Sequence, residues 1–329
     1  MPLKSPRLPA LTAAARGALP ISVALICLLT GAATAVPAPK PAGHRVDLAI
    51  ADSPVQLAPG QRGVQRLTVS NAARRPTTGP TLVSYATPPY TNVDRNRPLP
   101  RGCRIAYANQ DPIMPEVVTC RLGAGLAKGH ARTLAVPVVV TERARLSGTV
   151  RGRASVMPAP RSKDVEADTN NNWVLARLNL TRPTPPLPRG RKVGLWLAQS
   201  DAVMASDHTG ELELRYGNVG PNPTRRGAVV VVATPLLVKV DTEAGLPEEC
   251  TLALNDRTPG IPQIVRCTLP DLGVEEDDTF TIPLRAQAGA PKGMSAGTAL
   301  IAPGHRRDVD TDQVDNIGVA TARIPARQG

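Results

Sequence analysis

The sequence predicts an all-β protein: two tandem β-sandwich domains, each closed by one hairpin disulfide, behind an N-terminal signal peptide. Three observations predict it. The stretch CRIAYANQDPIMPEVVTC, Cys103 to Cys120, recurs as CTLALNDRTPGIPQIVRC, Cys250 to Cys267, with the same 17-residue spacing and a shift of 147. Short β-branched runs separated by turn signals fill the chain, and no 3.6-residue period follows the first 35 residues. A proline-rich stretch divides the two copies.

The bulk numbers agree. A chain of 329 residues is long enough for two ordinary domains. Apolar residues make up 42%, which is globular, but aromatics only 2%, so the core must be Val, Leu, Ala and Ile. Arginine outnumbers lysine, and Ala, Pro and Gly are plentiful, an actinobacterial type of composition.

Residues 1–35 read as a signal peptide. Lys4, Arg7 and Arg16 form its basic region, Ile21 to Ala35 its apolar run, and Ala33-Thr34-Ala35 its cleavage site. Cys27 does not mark a lipid anchor, because Ile26 stands where a small residue is needed and the apolar run continues beyond it. Residues 36–45, with prolines, form an exposed lead-in. No later run is long enough to span a bilayer, so no stable membrane span is expected after signal cleavage. Four cysteines then remain in an exported chain, a disulfide framework. They allow three pairings, and the repeat selects Cys103–Cys120 and Cys250–Cys267.

Residues 46–182 form the first unit, with strand-like runs DLAIADSP, VQRLTVSN, TLVSYATP, the two cysteine strands, TLAVPVVVT, GTVRGRASVM and NWVLARLNL. Residues 183–193 follow as a proline-rich, semi-rigid linker expected to hold the domains apart. Residues 194–329 repeat the design, with GLWLAQSD, ELELRYGN, AVVVVATP, LLVKV, CTLAL, IVRC, TFTIPLRA, GTALIAP and NIGVATARI. Asn71 matches Asn218, Pro76-Thr77 matches Pro223-Thr224, and ATP at 86–88 matches ATP at 233–235. Farther on the shift drops to 144, and Asp168 and Asn172 match Asp312 and Asn316. Such self-similarity means one structural unit used twice. Seven to nine short strands per unit read as a sandwich.

Each cysteine pair brackets a hairpin. With Cys103 opposite Cys120 the turn centres between Asp111 and Pro112, and in the second copy between Thr258 and Pro259. Alternation puts Ile105 and Tyr107 on the face of Cys103. Closing such a loop stabilises the fold by about 3 kcal/mol on the entropy account. Antibody domains differ, since their cysteines lie farther apart and link two sheets.

Pro59-Gly60 after a first strand, the Asn71 turn, the fuller Asn218-Val219-Gly220-Pro221, the ATP strand ends, and Asp168, Asn171 and Asn172 echoed by Asp312, Asp315 and Asn316 form one set. In these features the units resemble the tandem Ig-like repeats of bacterial exported and surface proteins, the conserved-repeat domain of unknown function and the related CARDB class. The likeness covers residues 46–182 and 194–325. The first copy lacks the glycine of the Asn turn, and paired cysteines are not general in that class. The resemblance implies an Ig-like sandwich in a secreted or cell-envelope setting and no catalytic residues.

Candidate chemistry is sparse. GMSAG at 293–297 fits the G-x-S-x-G nucleophile elbow, but no helix follows Ser295 and His305 precedes the Asp cluster, so a glycine-rich loop is the expectation. DVDTDQVDN places Asp308, Asp310 and Asp312 at alternate positions with Asp315 close by; these four are the calcium candidates. Gln313 and Val319 stand where an EF-hand needs Gly and Glu, and the competing reading is a solvated loop. No other cofactor is indicated. His44, His130, His208 and His305 are scattered, and the exported cysteines are too far apart for zinc.

Charge is asymmetric. Residues 46–182 carry 19 Lys/Arg against 9 Asp/Glu, a net +10, and residues 194–329 carry 12 against 18, a net −6. The basic domain suits anionic cell-envelope polymers or another protein, and the opposite charges suit attraction between domains or self-association. Scarce aromatics and an external compartment argue against nucleic acid. The expected function is binding, adhesion or spacing by a secreted or envelope protein that is not an enzyme. The alternative is a secreted enzyme or a protease inhibitor using the disulfide-stapled 109–118 loop. The C-terminal IPARQG carries no sorting signal.

Overall fold

The computed structural model describes residues 43–109, 111, 114–181, 189–199 and 201–325. The expected signal peptide, lead-in residues 36–42, Pro112 of the first hairpin turn and the linker prolines Pro183, Pro185, Pro186 and Pro188 lie outside the described residues.

The first sandwich consists of β1 (His44–Val46), β2 (Leu48–Ser53), β3 (Val55–Leu57), β4 (Arg62–Asn71), β5 (Thr81–Ala86), β6 (Thr91–Val93), β7 (Cys103–Tyr107), β8 (Val117–Leu122), β9 (Ala131–Val140), β10 (Gly148–Pro158), β11 (Asp164–Glu166) and β12 (Trp173–Leu180). One sheet has the order β2-β4-β9-β6 and the other β3-β12-β10-β5-β8-β7. These neighbour relations resemble those of Ig-like sheets, including a parallel β3–β12 pair at one edge. The chain departs from an Ig variable domain by placing β6 before the β7–β8 hairpin.

The second sandwich consists of β13 (Arg191–Val193), β14 (Leu195–Gln199), β15 (Ala202–Val203), β16 (Thr209–Asn218), β17 (Ala228–Ala233), β18 (Val238–Val240), β19 (Cys250–Leu254), β20 (Ile264–Thr268), β21 (Glu276–Ala286), β22 (Gly293–Ala296), β23 (Thr298–Pro303), β24 (Asp308–Asp310), β25 (Ile317–Gly318) and β26 (Thr321–Ile324). A shift of 147 carries β4, β5, β6 and β7 onto β16, β17, β18 and β19 with identical bounds, and a shift of 144 carries β11 onto β24. The equivalents of β10 and β12 are each broken in two, as β22/β23 and β25/β26. The duplication read from the sequence is therefore a duplication of strands.

Period-two burial drives the local structure. β4 turns Gln65, Leu67, Val69 and Asn71 inward, and β16 turns Leu212, Leu214, Tyr216 and Asn218 inward. The two asparagines are fully enclosed hydrogen-bond hubs. Asn71 Oδ1 accepts from the Asp47 and Ala73 N–H groups, and its Nδ2 donates to the Arg75 and Leu126 carbonyls. Asn218 repeats the pattern with Gly194, Gly220, Asn222 and Gly273. An amide serves because it alone offers two donors and an acceptor to backbone that no strand partner can reach.

Both disulfides are formed, Cys103–Cys120 and Cys250–Cys267, between cysteines directly opposite one another with Cα atoms 3.9 Å apart. Beyond them the register slips, leaving Ala106 and Ala253 as the extra residue of a bulge. The expected shared face of Ile105 and Tyr107 is thereby lost: Ile105 opposes Val118, and Tyr107 opposes Val117. In the second hairpin Ile261 N–H donates to the Thr258 carbonyl at 3.2 Å around Pro259 and Gly260. Gly260 has φ 87°, which the second central position of such a turn requires.

The sandwiches are not held apart. Gly43–Gly329 is one compact unit. The run Ala228–Ala233 is buried along its whole length because β17 is covered on both faces. Val230 and Val232 face the core of the second sandwich, while Val229, Val231 and Ala233, with Leu300 and Ala302 of β23, join the core of the first. From the first sandwich, Ser155 Oγ donates to the Gly260 carbonyl at 2.7 Å. Among the described residues no ion pair crosses the joint, so apolar burial, not opposite charge, forms it. The ends of the expected lead-in and linker are also ordered, with β1 parallel to β11 and β13 parallel to β24.

Candidate functional site

Where the sandwiches meet at one end, a cleft of about 450 Å³ opens, a size suited to a small ligand. Its walls come from both. Tyr90, Asp111, Glu142, Arg143 and Arg145 belong to the first sandwich, and the segment from Ala302 to Gln313 supplies the rest. Gln313 clasps the two sides: its Oε1 accepts from Arg145 N–H at 2.6 Å, and its Nε2 donates to the Arg143 carbonyl at 3.3 Å. The residue that spoils the EF-hand pattern therefore joins the two halves.

The Asp-rich segment lies along this cleft, but its carboxylates serve the backbone. Asp310 is buried; its Oδ2 accepts from Leu195 N–H and Asn316 Nδ2, and its Oδ1 from Asp312 N–H. Burial pushes its carboxyl up to about 7 against these donors. Asp312 is exposed and accepts from Val314 N–H. Asp315 is pushed up to about 6, by burial and then by the charge of Asp312. Asp308 Oδ2 accepts from Arg225 N–H at 2.7 Å. Among the described residues, no group of three or more His, Cys, Asp or Glu is placed to hold a metal ion. The calcium candidates are thus not assembled as ligands; backbone N–H groups engage Asp308, Asp310 and Asp312 instead. In the first sandwich Glu166 takes the place of Asp310, accepting from Leu48 N–H, and burial pushes it up to about 7.

Next to the cleft lies a second cavity of about 480 Å³, lined by Arg226, Gly304, His305, Arg306 and Arg307. Among the described residues none of Arg143, Arg145, Arg226, Arg306 and Arg307 makes an ion pair. This basic tip sits on the acidic half of the chain. A net charge summed over the domain hides it, although the run His305-Arg306-Arg307 was there to be seen.

Other candidates do not converge. Ser295 lies on β22, not in a loop; it is fully buried, and its Oγ donates to the Leu236 carbonyl. Of the 109–118 loop, Gln110, Pro112 and Ile113 lie outside the described residues. Met114 and Glu116 are buried, and the Glu116 carboxylate accepts from Val93 N–H and Arg95. That half of the loop is part of the fold and is not presented to a protease. Tyr90 at the cleft has φ 60°, but its equivalent Leu237 has φ 55°, so this backbone strain belongs to the fold rather than to the site.

No protein-family profile matches the chain, and no curated protein matches it. Among solved structures it is similar to Escherichia coli alpha-2-macroglobulin at 15% identity and TM-score 0.24, covering 86% of this chain and 17% of that one. A protein of unknown function from Porphyromonas gingivalis W83 is similar at 14% identity and TM-score 0.28, covering 85% and 99%. Red sea bream transglutaminase is similar at 12% identity and TM-score 0.23, covering 86% and 32%. Likeness at this level carries no argument about function.

Proposed function

We propose that the chain is a secreted, non-enzymatic binding protein of two Ig-like modules, and that it takes its ligand in the cleft between them. The observation that carries this reading is the cleft itself, walled by charged side chains of both sandwiches and clasped by Gln313. Sites at domain junctions are a common place for ligands. Two formed disulfides support an oxidising compartment outside the cell. Among the described residues no helix is long and apolar enough to cross a membrane. The kinship with tandem repeats of exported proteins and adhesion to anionic envelope polymers belong to the same proposal.

The test is retention of the purified mature chain on its own cell-wall fraction. Binding at low salt, released at high salt and lost in an Arg143→Glu/Arg306→Glu variant, is the expected result. Retention unchanged by that variant would place the binding surface elsewhere. Slowing of a protease in a panel assay would instead favour the inhibitor reading.

A further inference from the structure

We infer that the cleft and the adjoining basic cavity bind a carbohydrate bearing an anionic group, carboxylate or phosphate. The inference rests on the cleft being the binding site and names what enters it.

The duplicated fold provides an internal control. In the first sandwich Asp164 of β11 is saturated: Thr78 N–H and Gly79 N–H donate to it at 3.0 and 2.8 Å, and the Thr78 hydroxyl at 2.5 Å. Its counterpart Asp308 in β24 sits in the same place, but the side chains of the segments around it differ. Thr78 becomes Arg225, Gly79 becomes Arg226, Ser162 becomes Arg306 and Lys163 becomes Arg307. Asp308 keeps one donor, the Arg225 N–H, and its Oδ1 has none although the residue is only 7% exposed. A buried acceptor without a partner is destabilising. The first sandwich removes that cost with a threonine, and the second leaves it unmet in the wall of a cleft. Across the same cleft the buried Nε of Arg145 also lacks a partner. The site therefore has an unmet acceptor and an unmet donor.

The two cavities share Gly304, His305 and Arg306. The cleft offers carboxylates, of Asp308 and Glu142 among others, together with the guanidinium groups of Arg143, Arg145 and Arg306; the adjoining cavity offers only basic side chains. A bare polyanion matches the arginines of both and leaves the carboxylates of the cleft without a donor. A neutral sugar matches the carboxylates and leaves the arginines unused. An acidic sugar satisfies both: a hydroxyl donates to Asp308 Oδ1, and the anionic group takes the guanidinium donors.

Calorimetry separates these cases. The titrants are galacturonate oligomers, glucose 1-phosphate, neutral galactose oligomers and inorganic polyphosphate, against wild type, Asp308→Asn and Arg306→Gln/Arg307→Gln. Asp308→Asn can still accept from Arg225 N–H but offers N–H₂ where the free oxygen was, and the arginine pair is exposed, so both variants should fold. The expected result is binding of one or both acidic sugars, weakened about tenfold by either variant, with polyphosphate untouched by Asp308→Asn. Uronate and phosphate arms tell the two anionic groups apart. Polyphosphate binding as tightly as the acidic sugars, or sugar binding indifferent to Asp308→Asn, overturns the inference. If both acidic sugars fail while the cleft variant still loses the cell wall, the ligand class is wrong but the site stands. If the variant keeps the cell wall, the site itself is wrong.

Discussion

Asn71 and Asn218 each tie four backbone groups to one buried side chain. Replacing either with alanine strands those groups away from water, and each substitution should cost about 3 kcal/mol in denaturant unfolding. A loss no larger than a surface substitution gives would contradict the hub. Arg153 is the opposite case. It is buried at the joint, with a long 3.4 Å contact to the Gly260 carbonyl and no partner for Nε or Nη1. Burial pushes its guanidinium down to about 9. Arg153→Met should raise stability by about 1–3 kcal/mol, since it removes unmet polar groups and keeps the volume. Asp310 and Glu166 carry a pH signature. Burial raises both to about 7, above their unfolded values, so the folded state binds their protons more tightly. Their contribution is whole below about pH 4 and is lost as the pH rises through about 7. The unfolding midpoint of Asp310→Asn should fall less than that of wild type between about pH 5 and about pH 8.

At the scale of elements, the disulfide hairpins were legible because two cysteines at one spacing, met twice, leave a single sensible register. The bulge at Ala106 and Ala253 was not, since an extra residue leaves no mark in a run of small apolar side chains. Removing the second staple with Cys250→Ser/Cys267→Ser should cost about 3 kcal/mol, measured against wild type in denaturant. The Asp-rich segment is ambiguous in sequence for a physical reason. Carboxylates at alternate positions suit a metal and suit backbone capping equally, and only the arrival of Leu195 and Arg225 from elsewhere decides between them. Gly297, after Ala296 where the equivalent of β10 breaks, packs against the Ala233 carbonyl with no room for a side chain, as Gly152 packs against Ala86 in the unbroken β10. A glycine there was visible, but not what it approaches.

At the scale of the molecule, strands, repeat and staples are legible in one chain, but the joint is not. The proline-rich stretch suggested separation, whereas the signal for contact was AVVVVA. A strand exposed on one face alternates, and this one does not. Val231→Glu should break the joint without touching the core of the second sandwich, because Val231 faces the first. Scattering should then show a larger radius of gyration, and an unchanged radius would contradict the shared core.

The joint matters because it builds the cleft, and one measurement bears on that most directly. Hydrogen–deuterium exchange of the mature chain, with and without solubilised cell-wall polymer, should show slowed exchange at residues 142–145 and at 304–313 together, one segment from each sandwich. Protection confined to one sandwich, or falling on the 109–118 loop, would contradict a site made by the two halves.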